Sequence, residues 1–224
     1  GGFLSTSNLT DITSNDLQTL ILSISLLFPI FNFYLLFNLS TKKFKFQDHQ
    51  EDLHLGTLII ILTSLFYFFI IPDEGIFSIF LAITSSVSTS GISTYSSNFD
   101  ASLFFILLTI IGGSLISTSS GYKYIRFYIL LKISYQEIYK LVKPNNIFDK
   151  NLFNIETKID DDDCKIAFLV FILFVVSIFI LSSILTLDNI NFENAFKLSI
   201  LTLTNTVTSS LYGLDNLSFV VLNS

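Results

Sequence analysis

Residues 76–83 form an apolar run far too short to cross a bilayer, and the residues that follow it carry no charge. A helix needs roughly 20 apolar residues to span the hydrocarbon layer. Behind this run comes Thr84-Ser85-Ser86-Val87-Ser88-Thr89-Ser90-Gly91, a row of hydroxyls ending in glycine. Non-helical backbone survives at membrane depth only where it is buried in protein or lines a wet cavity. A chain with this half-span either folds it re-entrantly, with full spans packed around it, or carries the hydroxyl row as an external loop between two ordinary spans.

The order recurs. Residues 191–203 make a second short apolar piece and residues 204–210 a second hydroxyl-rich loop. Each unit follows a longer apolar run, residues 55–71 and 165–186, and a short polar turn. Such self-similarity is independent support for a repeated re-entrant architecture. Between the two units lies an interrupted run: residues 101–111 apolar, 112–122 small and polar, 124–131 apolar again. Half-spans flanking an uncharged Gly/Ser/Thr stretch read as one discontinuous helix, ending near residue 142, beside a permeation path. Loop carbonyls replace water around a cation, and glycine admits the backbone angles that aim them inward. The expected fold class is an all-α membrane protein of pore-loop repeats (span, half-helix, filter, span) with re-entrant segments and one broken transmembrane helix.

Composition agrees. The 224 residues have mean hydropathy +0.67, with 51% apolar and 13% charged residues, which places them in a lipid bilayer. A net charge of -6 argues against nucleic acid as a partner. Of the 12 Lys and Arg residues, all but Lys197 fall on one side when the spans alternate: Lys42, Lys43, Lys45, Lys123, Arg126, Lys132, Lys140, Lys143, Lys150, Lys158 and Lys165. With that side inside, both hydroxyl loops open from outside.

The remaining features are plainer. Asp16 is placed to cap a helix over residues 17–40, which Pro29 should kink. His49 and His54 flank Glu51 and Asp52 in a polar connection; a metal there is weighed against solvated juxtamembrane residues, the preferred reading. The run Asp160-Asp161-Asp162-Asp163 lacks the alternating ligand spacing of a calcium loop and reads as a solvated helix start. One cysteine, Cys164, excludes an internal disulfide. The chain contains no methionine, so it is expected to be a piece of a longer product. No catalytic motif, clustered metal ligands or cofactor signature is present, and an enzyme is not expected. The apolar spans 55–71 and 165–186 contain no Asp or Glu, which weighs against a carrier coupling two ions.

Gly112-Gly113-Ser114-x-x-Ser117-Thr118-x-x-Gly121-x-Lys123-x-x-Arg126-Phe127 resembles the broken third-repeat helix of the Trk/Ktr/HKT potassium transporters, in particular the membrane subunit of bacterial Trk uptake systems. Ser88-Thr89-Ser90-Gly91 resembles that family's third filter strand, and Gly1-Gly2-Phe3-x-Ser5-Thr6 the end of its second. The resemblance runs over nearly the whole chain. It implies residues 1–54 as the end of repeat two, 55–142 as repeat three, 143–163 as a cytoplasmic linker and 164–224 as a partial repeat four. It further implies potassium uptake across a bacterial inner membrane. Potassium would be the substrate, held by carbonyls of Gly1, Gly2, Val87, Ser88, Thr89, Ser90, Gly91, Asn205, Thr206, Val207 and Thr208. The gate loop would be Gly112, Gly113, Ser114, Ser117, Thr118 and Gly121, with Lys123 biasing it electrostatically. Implied partners are the bilayer, a second copy in a homodimer, and a nucleotide-binding regulatory subunit of the TrkA type.

The chain also departs from the family pattern. With Asn205 at the first asparagine of the fourth filter, Thr208 takes the filter glycine position, where a β-branched side chain resists positive φ. In the gate block, Ile116 and Ser120 replace glycines. A less selective potassium/sodium transporter and a non-conducting receptor or scaffold therefore stand as alternatives.

Overall fold

The computed structural model describes residues 15–41, 45–70, 74–92, 94, 101–143, 161–207 and 209–214. Among these the architecture is all-helical. Helix α1 is Asp16–Leu27 and α2 is Phe33–Ser40. A 3-10 turn, Phe46–His49, leads into α3, Gln50–Leu65, which closes in a π-helical turn, Phe66–Ile70. Then come α4, Ile76–Val87, and α5, Ser102–Ile111. They are followed by α6, Tyr124–Val142, α7, Asp161–Leu187, and α8, Phe192–Leu203.

Among the described residues, two stretches are long and apolar enough to cross a membrane. They are Gln50–Ile70, 21 residues, and Asp162–Leu187, 26 residues. Their apolar side chains face outward: Ile60, Ile61, Phe168 and Leu169 are all exposed, the reverse of a water-soluble helix. The half-helix α4 shows the opposite pattern. Every residue from Leu81 to Thr89 is buried, packed among α1, α3 and α5. The core lies around it, with Ile79 and Ile83 joined by Leu55, Ile59 and Phe66, and with the Phe66 and Phe104 rings 4.4 Å apart.

Three expectations change. Helix α4 takes in residues 84–87, expected in the loop, because Thr84 Oγ1 and Ser86 Oγ donate back to the Phe80 and Ala82 carbonyls, each at 2.8 Å. Those bonds let hydroxyl side chains sit inside a buried helix. Residues 17–40 are two helices rather than one kinked helix. Proline has no N–H to donate and its ring crowds the preceding turn. The chain turns instead, with Ile30 N and Phe31 N donating to Leu27 O, and restarts where Asn32 Oδ1 accepts from Tyr34 N at 2.9 Å. Asp16 is the first helical residue rather than the cap; Asn15 occupies that position.

Candidate ion path

The two half-helices α4 and α8 each have 12 residues, and a shift of 116 residues superimposes their hydrogen bonding. Ser88 N donates to Thr84 O and Thr204 N to Ile200 O, both at 2.9 Å. Thr89 N donates to Ser86 O and Asn205 N to Thr202 O, both at 3.1 Å. Ser90 N reaches Ser85 O at 3.0 Å, as Thr206 N reaches Leu201 O at 2.8 Å. Even the hydroxyl pairs repeat: Ser88 Oγ with Ser90 Oγ at 2.9 Å, Thr204 Oγ1 with Thr206 Oγ1 at 2.8 Å. Each chain then turns through the left-handed region at the same position, Thr89 at φ 59° and Asn205 at φ 51°.

The match ends one step later. Gly91 has φ 73°, whereas its counterpart at the 116-residue offset, Val207, is not among the positive-φ residues. This register puts Val207, and not Thr208, opposite the filter glycine. Thr208, Gly1 and Gly2 lie outside the described residues. A side chain avoids positive φ where it is β-branched, and valine leaves the pattern where glycine continues it. The two strands nevertheless meet. A Cβ added to Gly91 would overlap the Val207 carbonyl and stand 3.0 Å from Val207 N. Of the expected filter residues, Val87 is the last helical residue of α4, Ser88 its cap, and Thr89, Ser90 and Gly91 the strand; Asn205, Thr206 and Val207 form the matching piece.

All seven expected loop residues fall in the segment between α5 and α6. Gly112, at φ 67°, ends α5, and its neighbour across the loop is the Ser120 carbonyl, where any Cβ would collide. Several carbonyls of this segment are bonded. Gly113 O accepts from Tyr124 N and Ile116 O from Phe33 N, both at 3.0 Å. Lys123 folds back so that Nζ donates to Ser117 O at 3.1 Å and to Ser119 O at 2.5 Å. Ser117 Oγ and Ser119 Oγ are 2.9 Å apart, and Gly113 N donates to Ser119 Oγ at 2.9 Å. Polar backbone at membrane depth has to find partners, and here the loop is cross-bonded to itself. It rests on the segment expected to form a filter, Ser120 N donating to Thr89 Oγ1 at 3.1 Å.

Sequence reasoning missed what holds this loop from outside itself. The carbonyls freed at the α1–α2 break receive the loop's N–H groups: Ser119 N donates to Pro29 O at 3.0 Å and Ser114 N to Ile30 O at 2.9 Å. Glu51 Oε1 accepts from Leu115 N and Asp52 Oδ1 from Asn32 N, each at 2.8 Å. Asp52 and His49 are buried, 3% exposed each, with His49 Nδ1 3.7 Å from Asp52 Oδ2 and Asn38 Nδ2 3.0 Å from His49 Nε2. They are not the solvated residues expected, because α3 begins five residues before the apolar run does and carries them inward. Lys197, expected on the outer side, is 5% exposed in α8 with Nζ 2.9 Å from Glu193 Oε1. The signal for the first group was Pro29 inside an apolar run facing an acidic pair; nothing local marked Lys197 as buried.

The same arrangement of helices occurs in a crystal structure of the potassium transporter TrkH from Vibrio parahaemolyticus, with a TM-score of 0.76 at 19% identity. This chain has the TrkH fold. The alignment covers 92% of this chain and 46% of that one, so the chain spans about half the length of the solved TrkH. No protein-family profile and no curated protein matches it by sequence.

Proposed function

We propose that this chain forms part of a bacterial inner-membrane path for potassium, in which carbonyls of residues 87–91 and 203–207 desolvate the ion. The observation that carries this reading is the pair of pore loops, alike in backbone and hydroxyl bonding and brought together at Gly91 and Val207. Helices α4 and α8 aim their C-terminal ends, the negative poles of their dipoles, at the same place, which favours a cation there. The TrkH fold is a second support. In this reading residues 1–54 complete repeat two, 55–142 form repeat three, 143–163 link and 164–224 begin repeat four.

The loop 112–121 lies directly behind the filter strand and acts as a gate. Lys123 governs it through hydrogen bonds to Ser117 and Ser119 more than through its field at a distance. A homodimer and a nucleotide-binding regulator of the TrkA type complete the working unit, and no step of covalent chemistry is involved. A second reading, a potassium path that also passes sodium, is favoured by one observation: the fourth-repeat strand leaves the glycine conformation at Val207.

Deleting residues 114–119 in the full-length protein tests the gate. Basal potassium uptake by an uptake-deficient strain should rise several-fold, since the deletion removes the plug while leaving both pore loops. Uptake that falls, at normal expression and folding, would make the segment a structural joint.

A further inference from the structure

The first turn of α3 places two adjacent carboxylates on two different helix breaks. Glu51 Oε1 takes the N–H of Leu115, 64 residues away, and Asp52 Oδ1 takes the N–H of Asn32, each at 2.8 Å. The breaks also bond each other through Ser114 N to Ile30 O and Phe33 N to Ile116 O. Leu115 N and Asn32 N are amides with no helical partner, of the kind a membrane protein must satisfy. Carboxylates in a helix's first turn are held there by the helix dipole, so α3 presents this pair at low cost.

The two contacts differ in how firmly they are held. Asp52 is buried and also faces the buried His49 ring. Glu51 is half-buried, and the segment it holds includes the exposed Leu115 and Ile116, 42% and 50% exposed. Lys123, at the loop's far end and bonded to Ser117 and Ser119, is close enough for its charge to act on Glu51. One contact is an anchor and the other is a point where the loop can let go.

We infer that Glu51 is a positioning residue, a catch on α3 that holds the tip of the loop 112–121 in its closed place, while Asp52 fixes the neighbouring break as the platform against which the loop closes. This rests on the gate reading and adds to it a release point outside the loop. Opening then requires Leu115 to leave Glu51, while Asn32 stays on Asp52. Movement of α3 relative to α5 and α6 is the motion that would do this.

The test is made in the full-length protein with Cys164→Ser as background. Two quantities are read: basal potassium flux, and labelling of Ser114→Cys, a fully buried loop position, by a small thiol reagent from the cytoplasmic side. Losing a hydrogen bond to a carboxyl acceptor shifts a two-state balance by about tenfold. Glu51→Ala should therefore raise both quantities by about that factor. Glu51→Gln, which keeps an oxygen acceptor for Leu115 N, should stay within about twofold of the parent. If Glu51→Ala leaves both unchanged while deletion of residues 114–119 raises flux, the catch is refuted and the gate stands. If Glu51→Ala raises labelling but neither change raises flux, Glu51 does hold the loop and the loop is not a gate. If Glu51→Gln behaves as Glu51→Ala does, the acceptor role assigned to Glu51 is refuted.

Discussion

The two pore loops of this chain are one design carried out twice with different latitude. Through Ser90 and Thr206 they share backbone bonds, hydroxyl pairs and a left-handed residue, although their sequences, SVSTSG and TLTNTV, have no identical residue at a matched position. The shared part depends on helix ends and short polar side chains, which several sequences can supply. The divergent part depends on one φ angle, which glycine alone adopts at no cost. A second difference lies upstream. Leu81, fully buried in α4, corresponds at the same offset to Lys197, a cation equally buried in α8 and paired with Glu193. If the proposed filter is right, the comparison makes the 87–91 loop the stricter ion site and the 203–207 loop the one that tolerates change.

The largest expected effect comes from breaking the stricter strand. Gly91→Ser puts a Cβ at φ 73° against the Val207 backbone. Left-handed geometry alone costs about 1–2 kcal/mol for an L-residue, and the collision adds to it. Potassium-dependent growth of an uptake-deficient strain should fall by about tenfold or more in effective uptake, 1.4 kcal/mol being a factor of ten. Unchanged growth and selectivity would remove Gly91 from the filter.

A smaller effect sharpens the contrast from the other side. Val207→Gly gives the fourth-repeat strand the freedom its counterpart has, and the potassium-to-sodium flux ratio in proteoliposomes should rise by about twofold to fivefold. A ratio that stays put would show that the Val207 carbonyl does not face the ion.

The smallest concerns the buried cation. Lys197→Leu copies Leu81 of α4, removes a positive charge from α8 and leaves Glu193, 70% exposed, without its partner. Potassium flux should rise by less than about threefold, with the salt dependence of flux reduced. A marked loss of folded protein would show that Lys197 is there for packing, with its charge paired rather than felt by the ion.

How much of this was legible depends on the range of the interactions. Half-helices, polar loops and the broken helix are set by runs of neighbouring residues, and residues 101–142 divide at Gly112 and Tyr124 much as the pattern foretold. Boundaries that hydroxyls control were misjudged. Thr84 and Ser86 look like loop residues, yet they bond back into the turn before them. The hidden layer was the long-range one. Pro29 predicts a disturbed helix, but which amides would use the freed carbonyls is decided by residues 114–119. Glu51 and Asp52 read as soluble charges because their partners are backbone N–H groups, which every residue but proline has and no motif records. The filter register, with Val207 rather than Thr208 opposite Gly91, became visible only through hydrogen bonds spaced by 116 residues.

The most direct test of a shared ion path is to see the ion. Crystals of the full-length protein grown in rubidium, a potassium substitute with strong anomalous scattering, should show a peak between residues 87–91 and 203–207. It should lie within coordination distance of carbonyls from both strands and closer to the Thr89–Gly91 side. A well-ordered structure with no anomalous peak there, or with rubidium bound only elsewhere, would contradict the assignment of these two loops as a filter.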